Sequence, residues 1–416
     1  MNRRSSLWRR PDFLRLWAGE TVSIFGTLIG QLALQFTAIL WLDANAFEVA
    51  VLAACGLVPG FAAGLFAGVW VDRLARRPIM IAADIGRALL LATIPLAAVF
   101  DVLTIGQLWA VAFAAAGLTV FFDVAYEAYL PTLVEPHELV EGNSKLQASA
   151  SVAEFGSFGL SGWLVQLLRG PGAVLIDSLS FVVSAFAVWR IRTPEPRPSA
   201  SGEREHLFRE AIEGVRVVVR TPVIRSLAVA SVISMMGARI LSVVYLLYLS
   251  RELGFSPGVL GMIFGIGGLT SLAGAAVAGR SPRLGTGLVL AAFMRATGVL
   301  FMPLAGSASL LGASSLVANQ LVTDPAWTYY DINAMSLRQA ITPNRLLGRV
   351  NATVRFGEFG AQIVGVALGG VLGQWLGLRE TLFFAVGIQY VSAATLLIGP
   401  IPRLRAMPAL ASAAES

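Results

Sequence analysis

The stretch Gly68-Val-Trp-Val-Asp72-Arg73-Leu-Ala-Arg76-Arg77-Pro78 lies in a short gap between two long apolar runs, Val49–Val71 and Ile79–Phe100. A gap so short and so charged cannot remain in hydrocarbon, so it must be a tight turn at one face of a membrane. Its three arginines predict that this face is cytoplasmic, because loops rich in basic residues stay inside. The sides of all other loops then follow by alternation.

The composition of the chain agrees with a membrane location. Of its 416 residues, 56% are hydrophobic and only 13% are charged, whereas a soluble domain has about 25% charged residues. The net charge of +6 could suggest a nucleic-acid partner, but the basic residues fall into short loops between apolar runs. This distribution indicates membrane topology, so we predict a partner bilayer and no nucleic acid.

Twelve apolar runs are long enough to cross about 30 Å of hydrocarbon as helices. They are Leu14–Leu42, Val49–Val71, Ile79–Phe100, Ile105–Tyr126, Ser144–Leu168, Gly172–Arg190, Ile224–Leu249, Ser256–Ala278, Gly285–Leu304, Ser309–Met335, Gly348–Leu376 and Leu378–Ile398. One long polar segment divides them into two groups of six. The sequence therefore predicts an all-α polytopic membrane protein with an N-terminal half (residues 1–190), a cytoplasmic linker (191–223), a C-terminal half (224–400) and a cytoplasmic tail (401–416).

The positive charges are distributed on one side of the predicted topology. The cytoplasmic segments carry clusters of arginine, whereas the outer loops hold only Arg169, Arg251 and Arg379. By the positive-inside rule, both termini are expected in the cytoplasm of a bacterial inner membrane.

The two halves also repeat each other. Arg87-Ala88 followed by Pro95-Leu96-Ala97 reappears as Arg295-Ala296 followed by Pro303-Leu304-Ala305, at an offset of 295 − 87 = 208. The same offset relates four more pairs: Asp123 to Asp331, Asn143 to Asn351, Gly162 to Gly370, and Gln166 to Gln374. A single offset shared by these landmarks predicts two six-helix halves in parallel repeat, an arrangement found in secondary transporters.

The opening stretch, written Gly68-x-x-x-Asp72-Arg73-x-Ala75-Arg76-Arg77, resembles the loop 2–3 signature of the major facilitator superfamily. That family usually has glycine where this chain has Ala75. In such a loop Asp72 would cap a helix end and pair with arginine across the bundle, forming a latch between helices that rock against each other. The resemblance further implies a monomer.

Two other stretches resemble bacterial exporters related to the enterobactin and macrolide efflux proteins. They are Phe13-Leu-Arg15-Leu-Trp17-Ala-Gly-Glu20-Thr-Val-Ser23 and Leu130-Pro131-Thr-Leu-Val-Glu135-Pro-His-Glu-Leu139-Val-Glu-Gly-Asn143. Antiporters of this superfamily commonly carry a Gly-Pro pair in the fifth span, where this chain has Gly156-Ser-Phe-Gly159-Leu-Ser-Gly162 without proline. The spaced glycines still predict close helix packing, but the direction of transport stays open between export and import.

Ionisable residues inside spans are costly, so each needs a partner or a function. Glu20 and Asp324 lie deep on the first and tenth spans, which the resemblance implies to line a central cavity. Glu154 and Glu358 lie on the fifth and eleventh spans. Burial raises the pKa of a carboxyl group until it can exchange a proton near neutral pH. These four residues are the predicted proton-coupling candidates; a fixed ion pair or hydrogen bond is the alternative for each.

A second set of residues is expected to close the inner face through ion pairs; a direct role in transport is the alternative. The set consists of Gly68, Asp72, Arg73, Arg76, Arg77, Arg87 and Asp123. Asp84 and Glu127 lie on the same spans and would join this network. Arg295 and Asp331 repeat Arg87 and Asp123 and are expected to form the equivalent pair. Asp177, near an outer helix end, is expected to be an interfacial carboxylate.

The predicted cavity is lined by amide, aromatic and basic side chains. The candidates are Gln31, Gln35, Arg239, Tyr245, Asn319 and Trp327. Aromatic rings with scattered amides suit an amphipathic or weakly cationic organic molecule, although a sugar is also compatible. Asp324 is a plausible partner for Arg239.

The sequence contains no nucleotide-binding Gly-Lys loop, histidine-rich cluster or nucleophile elbow, so we predict neither an enzyme nor a cofactor or metal site. With a single cysteine, Cys55, no internal disulfide can form. The leading hypothesis is a proton-coupled exporter of a small organic molecule (drug, siderophore or secondary metabolite) that works by alternating access. The alternative is an importer with the same fold.

Overall fold

A computed structural model describes residues 7–71, 74–195, 207–278, 280 and 283–408, without the side chains of 61–71, 155, 158 and 207–211. Asp72 and Arg73 of the predicted latch therefore lie outside the described residues. Within these ranges every regular element is helical.

Twelve α-helices follow one another along the chain, and two of them continue into a π-helical turn. They are α1 (Pro11–Phe36, continued by Thr37–Trp41), α2 (Ala46–Val71), α3 (Arg76–Val99), α4 (Ile105–Leu133), α5 (Leu139–Trp189), α6 (Leu207–Arg220), α7 (Pro222–Leu247, continued by Tyr248–Glu252), α8 (Pro257–Val277), α9 (Leu284–Leu304), α10 (Leu310–Ile341), α11 (Asn344–Trp375) and α12 (Leu378–Ile398).

Each predicted apolar run lies, to within one residue at either end, inside one of these helices or its continuation. The fifth and sixth runs are both parts of α5, which bends sharply at Arg169, where φ is 60° and ψ is 168°. In the described part of the chain, nine helical segments are long and apolar enough to cross a membrane. Helix α10 is not among them, because Asn319, Gln320 and Asp324 lower its hydropathy. The full number of twelve spans remains a prediction.

Helix α6 has no counterpart in the sequence-based expectation, which treats residues 191–223 as a polar linker. Its sequence, LFREAIEGVRVVVR, alternates apolar and charged residues with helical periodicity. The sequence-based expectation missed this periodicity because it considered the polar composition of all 33 residues together and not the spacing of the apolar residues.

The chain forms two compact units. Unit 1 contains residues 1–201 and 256–265, and unit 2 contains residues 202–255 and 266–416. The first turns of α8 therefore belong with the N-terminal helices. There, Gly162 of α5 packs against Pro257 and Gly261 of α8 so closely that a side chain on Gly162 would overlap the α8 backbone. This contact confirms the close packing expected from the spaced glycines.

In unit 1, α1 packs along α5 through small residues. Gly26 and Gly30 face Ser180 and Asp177 of α5, and a Cβ at either glycine would overlap the opposing side chain. Nearby, an apolar cluster around Phe13, Met80 and Tyr129 is almost fully buried. Close approach of helix backbones maximises van der Waals contact where no water is available to drive association.

In unit 2, α7 packs against α11 and α12 in the same way. Gly365 and Gly369 of α11 face the backbone of α7 at Met236 and Ile240; a Cβ at Gly365 would overlap the Met236 carbonyl oxygen, and one at Gly369 would be in tight contact with α7. Between α9 and α10, Gly298 makes a similar contact with Thr323. The small residues thus determine which helices lie side by side in each unit.

Candidate functional site

Unit 1 contains a buried arginine surrounded by polar and aromatic groups. Arg87 of α3 is only 3% exposed and forms an ion pair with Asp84, one turn earlier on the same helix. Its guanidinium group lies 4.5 Å from the ring centre of Phe122 and 4.0 Å from that of Phe181, and it donates a hydrogen bond of 3.3 Å to Thr119. The carboxylate and the ring faces together compensate the loss of water around the cation.

A cavity of about 870 Å³ opens in the same unit among α1, α4 and α5. Its polar lining comes from Glu20, Tyr126, Glu127, Asn143, Ser144, Gln147 and Ser151. The Oε2 atom of Glu20 is buried and has no hydrogen-bond partner within the described residues. Glu20 also experiences the charges of Asp123, Arg87 and Asp84. The wall of this cavity therefore presents a carboxyl group with unused hydrogen-bonding capacity.

A smaller cavity of about 310 Å³ lies further along α1, against α5 and the start of α8. It brings together Gln31, Gln35 and Glu154, three residues that the sequence singled out on different spans. Glu20, Gln31 and Gln35 recur at helical spacing, so one face of α1 serves both cavities. Among the residues that line the larger cavity, Gln147 and Ser151 were not predicted; their i, i+4 spacing near the start of α5 was the available signal.

Asp177 is buried, in contradiction to its expected position at the membrane interface. It is 4% exposed and accepts a 3.4 Å hydrogen bond from Thr27 Oγ1 of α1. The bend at Arg169 begins the last part of α5, and Asp177 lies about two turns beyond it, where Gly30 of α1 leaves space for its carboxyl group. The pattern Gly26-x-x-x-Gly30 on the opposing helix was the overlooked signal.

The arginines that follow the predicted latch bind the end of α5. The backbone N–H of Arg76 donates to Glu195 at 2.7 Å, and the guanidinium group of Arg77 donates to the carbonyl oxygens of Val188 and Trp189. The two bonds from Arg77 satisfy carbonyl groups that a helix end leaves unpaired. Asp123 is exposed on α4, and the carboxylate paired with Arg87 is that of Asp84. Gly68 lies within α2, and the latch itself remains a prediction.

The buried arginine of unit 2 has different partners from those expected. Arg295 Nη2 donates to Gln389 Oε1 at 3.1 Å, and its guanidinium group lies 4.9 Å from the ring centre of Trp327. No ion pair joins Arg295 to Asp331, both of which the structure describes, so that expectation was wrong. Asp331 is exposed, while the ring of Trp327 covers the guanidinium group.

The remaining candidates of unit 2 lie in contacts between helices. Arg239 donates through Nε to Gln362 of α11 at 2.8 Å, so its partner is not Asp324. Glu358 accepts a hydrogen bond from Ser231 of α7. Asp324 of α10 fits against α8 because Gly267 has no side chain there.

Asn319 is fully buried within unit 2. Its amide donates to Gln320 at 2.7 Å and its carbonyl oxygen accepts from Thr323 at 3.0 Å. Tyr245 is half-buried on α7. In the described part of the chain, no three His, Cys, Asp or Glu side chains are grouped to hold a metal ion.

A model of the major facilitator superfamily matches residues 18–330 of the chain. The multidrug efflux pump Tap of Mycolicibacterium fortuitum is 28% identical over 376 residues, which are 87% of this chain and 89% of Tap. An uncharacterised transporter of the major facilitator type, y4rN of Sinorhizobium fredii, is 30% identical over 280 residues, 65% of this chain and 66% of y4rN. Macrolide efflux protein A of Streptococcus pyogenes is 26% identical over 206 residues, about half of each chain (50% and 51%). These relatives confirm the resemblance to the bacterial efflux branch.

Solved structures show the same fold at low sequence identity. A bacterial homologue of the iron transporter ferroportin, in an inward-facing state, superposes with a TM-score of 0.74 at 15% identity, covering 95% of this chain and 99% of that one. The nucleoside transporter NupG gives 0.68 at 11% identity, covering 93% and 98%.

Proposed function

Because the chain belongs to the major facilitator superfamily, we propose that it is a secondary active transporter that exports a small organic molecule in exchange for protons. The observation that carries this proposal is the carboxyl group of Glu20. It lines the larger cavity of unit 1, and its Oε2 atom is buried without a hydrogen-bond partner in the described residues.

An ionised carboxylate in such a place is costly unless a proton or another cation neutralises it. A proton bound at Glu20 and a positively charged group in the cavity therefore exclude each other. When the cavity faces the cytoplasm, Glu20 gives up its proton and the substrate enters. When the cavity faces outward, a new proton displaces the substrate. Competition at one carboxylate thus couples the two flows, provided that binding shifts the balance between the two conformations.

The lining of the cavity supports an amphipathic, weakly cationic substrate. Glu127 adds a second carboxylate to the wall, Tyr126 supplies an aromatic ring, and Asn143 and Gln147 supply amides. Such a set binds an apolar body through contact and an amine through charge and ring faces. A drug, a siderophore or a secondary metabolite with these features fits the proposal.

Export is supported by the similarity to the efflux pump Tap, which extends over 89% of that protein. The second candidate is import by the same fold. The observation that favours it is the lack of proline in the stretch Gly156–Gly162 of α5. We also propose that both termini are cytoplasmic and that a monomer is the working unit.

The test is uptake of fluorescent hydrophobic amines into inverted membrane vesicles, with and without an imposed inside-acid pH gradient. We expect gradient-dependent uptake in the native protein and its loss, by at least tenfold, in Glu20→Gln. The control is Glu380→Gln, which neutralises an exposed carboxylate at the start of α12 and should leave uptake unchanged. Both variants must elute as folded protein from a sizing column.

Full gradient-dependent uptake in folded Glu20→Gln would contradict the role of this residue. Accumulation of the substrate inside intact cells would contradict export and favour the importer.

A further inference from the structure

Helix α6 is too short to cross a membrane, yet it displays apolar side chains outside the protein core. It has 14 residues, whereas a membrane-spanning helix needs about 20. Ile212, Val215 and Val219 leave 47%, 50% and 53% of their surface exposed. Their spacing of three and four residues places them in one stripe along the helix.

The opposite face of α6 is fixed to α11. Val218 packs with Val350 and Val354 in a small apolar cluster, and Gly214 lies directly against the backbone of α11 at Arg349. The carboxylate of Glu213 forms an ion pair with the side chain of Arg349. These contacts determine the rotation of α6 about its axis, so its exposed stripe has a defined direction.

Arginine side chains border the exposed stripe. Arg216 and Arg220 are exposed and lie about 40° and 80° around the helix from Ile212. Arg225 of α7 is also exposed, and its Nη1 atom donates a 3.1 Å hydrogen bond to the carbonyl oxygen of Val219. The surface therefore combines an apolar stripe with three positive charges beside it.

We propose that this stripe lies in the membrane surface and that the three arginines bind anionic lipid headgroups. Apolar side chains of an interfacial helix enter the acyl boundary while basic residues reach lipid phosphates. Helix α6 ends at Arg220 and α7, which is long and apolar enough to span a membrane, begins at Pro222, so a single residue separates the two helices. Charge complementarity and this position favour lipid over a protein partner.

Lipid bound at α6 acts on the transporter through α11. The ion pair between Glu213 and Arg349 and the contact at Gly214 connect the two helices. The first turns of α11, which contain Arg345 and Arg349, are thereby connected to the helix that binds the anionic headgroups.

The experiment uses the full chain with Cys55→Ser and a single Val215→Cys that carries an environment-sensitive fluorophore. The protein is reconstituted into vesicles of phosphatidylcholine alone or of equal parts phosphatidylcholine and phosphatidylglycerol. We expect quenching by brominated acyl chains and protection from acrylamide in water. The ratio of quenching by brominated phosphatidylglycerol to that by brominated phosphatidylcholine measures the preference for anionic lipid, and should fall roughly fivefold for each arginine removed in Arg216→Gln/Arg220→Gln.

The matched control is Arg403→Gln/Arg405→Gln, which removes the same charge from another exposed segment and should leave the ratio unchanged. A probe at Val219→Cys repeats the measurement in case the first label disturbs α6. Quenching of both probes by acrylamide and not by lipid would overturn the proposal. So would protection seen only in native membranes, which would indicate a protein partner, or a ratio that the Arg216→Gln/Arg220→Gln variant leaves unchanged.

Discussion

The two units place an arginine at the same position of the repeat but neutralise it differently. Arg87 on α3 and Arg295 on α9 are 208 residues apart, both are buried, and both lie against aromatic rings. Arg87 pairs with the carboxylate of Asp84, whereas Arg295 is bound by the neutral amide of Gln389. The repeat thus retains the buried cation without retaining its counter-ion.

The difference extends to the surroundings of the two arginines. At the same offset, Asp84 corresponds to Ala292 and Asp177 to Ala385, while Glu154 corresponds to Gln362. These three acidic groups of unit 1 therefore have small or neutral counterparts in unit 2. The repeat therefore does not require the same buried charges in its two copies.

The largest effect that tests this comparison is expected for Asp84→Asn. The variant leaves the guanidinium group of Arg87 buried without a counter-charge, so the free energy of unfolding should fall by about 3–5 kcal/mol. The measurement is unfolding of the purified protein in mixed micelles with increasing denaturing detergent. Asp101→Asn, in the exposed turn after α3, is the control and should change nothing. A loss no larger than that of the control would show that the ring faces alone stabilise Arg87.

A smaller loss is expected in unit 2 for Gln389→Leu. Gln389 accepts a hydrogen bond from Arg295, and its side-chain amide donates to the carbonyl oxygen of Ser234 at 3.1 Å. Removing a neutral partner of a charged group costs about 1.5–3 kcal/mol, less than removing a counter-ion. The same detergent unfolding gives the value, with Gln374→Leu at an exposed position near the end of α11 as the control. If Gln389→Leu destabilises more than Asp84→Asn, the proposed contrast between the two sites is wrong.

The smallest changes in the free energy of unfolding are expected from the backbone conformation of Arg169 and Gly377, another pair of residues 208 apart. Arg169 and Gly377 both have positive φ, 60° and 98°, in the turns that precede the last helical segments of the two units. Their ψ values of 168° and 161° place both in a region that is essentially restricted to glycine. We expect Arg169→Gly to stabilise unit 1 by about 1 kcal/mol and Gly377→Ala to destabilise unit 2 by about 1–3 kcal/mol. The measurement is the thermal unfolding midpoint, which should rise for Arg169→Gly and fall for Gly377→Ala. Stabilisation by Gly377→Ala would show that the two turns are not equivalent.

The helices themselves could be predicted because long apolar runs are a strong and local signal. The run Leu378–Ile398 coincides with α12, and the other runs differ from their helices mainly at the polar ends, where the first and last turns lie outside hydrocarbon. The pair of Asp84 and Arg87 was also within reach, because a spacing of three residues places two side chains on one helix face.

The partners of Arg295 and Asp177 could not be predicted in the same way. An offset in sequence identifies equivalent positions, but it does not say which neighbouring helix supplies a partner. Gln389 follows Arg295 by 94 residues, and Thr27 precedes Asp177 by 150. Such contacts depend on the rotation of each helix about its axis, which glycines on the opposing helix determine.

Arg77 has two roles, one during insertion of the chain into the membrane and one in the folded protein. In the proposed topology, with both termini in the cytoplasm, its positive charge would help to keep this loop from being translocated. After folding, its guanidinium group donates to two carbonyl oxygens at the end of α5, a task that uses the planar fork of arginine and not its charge alone. Lysine at this position would insert with the same orientation and yet cap the helix less completely. Membrane insertion therefore requires only a positive charge at this position, whereas the folded protein requires arginine.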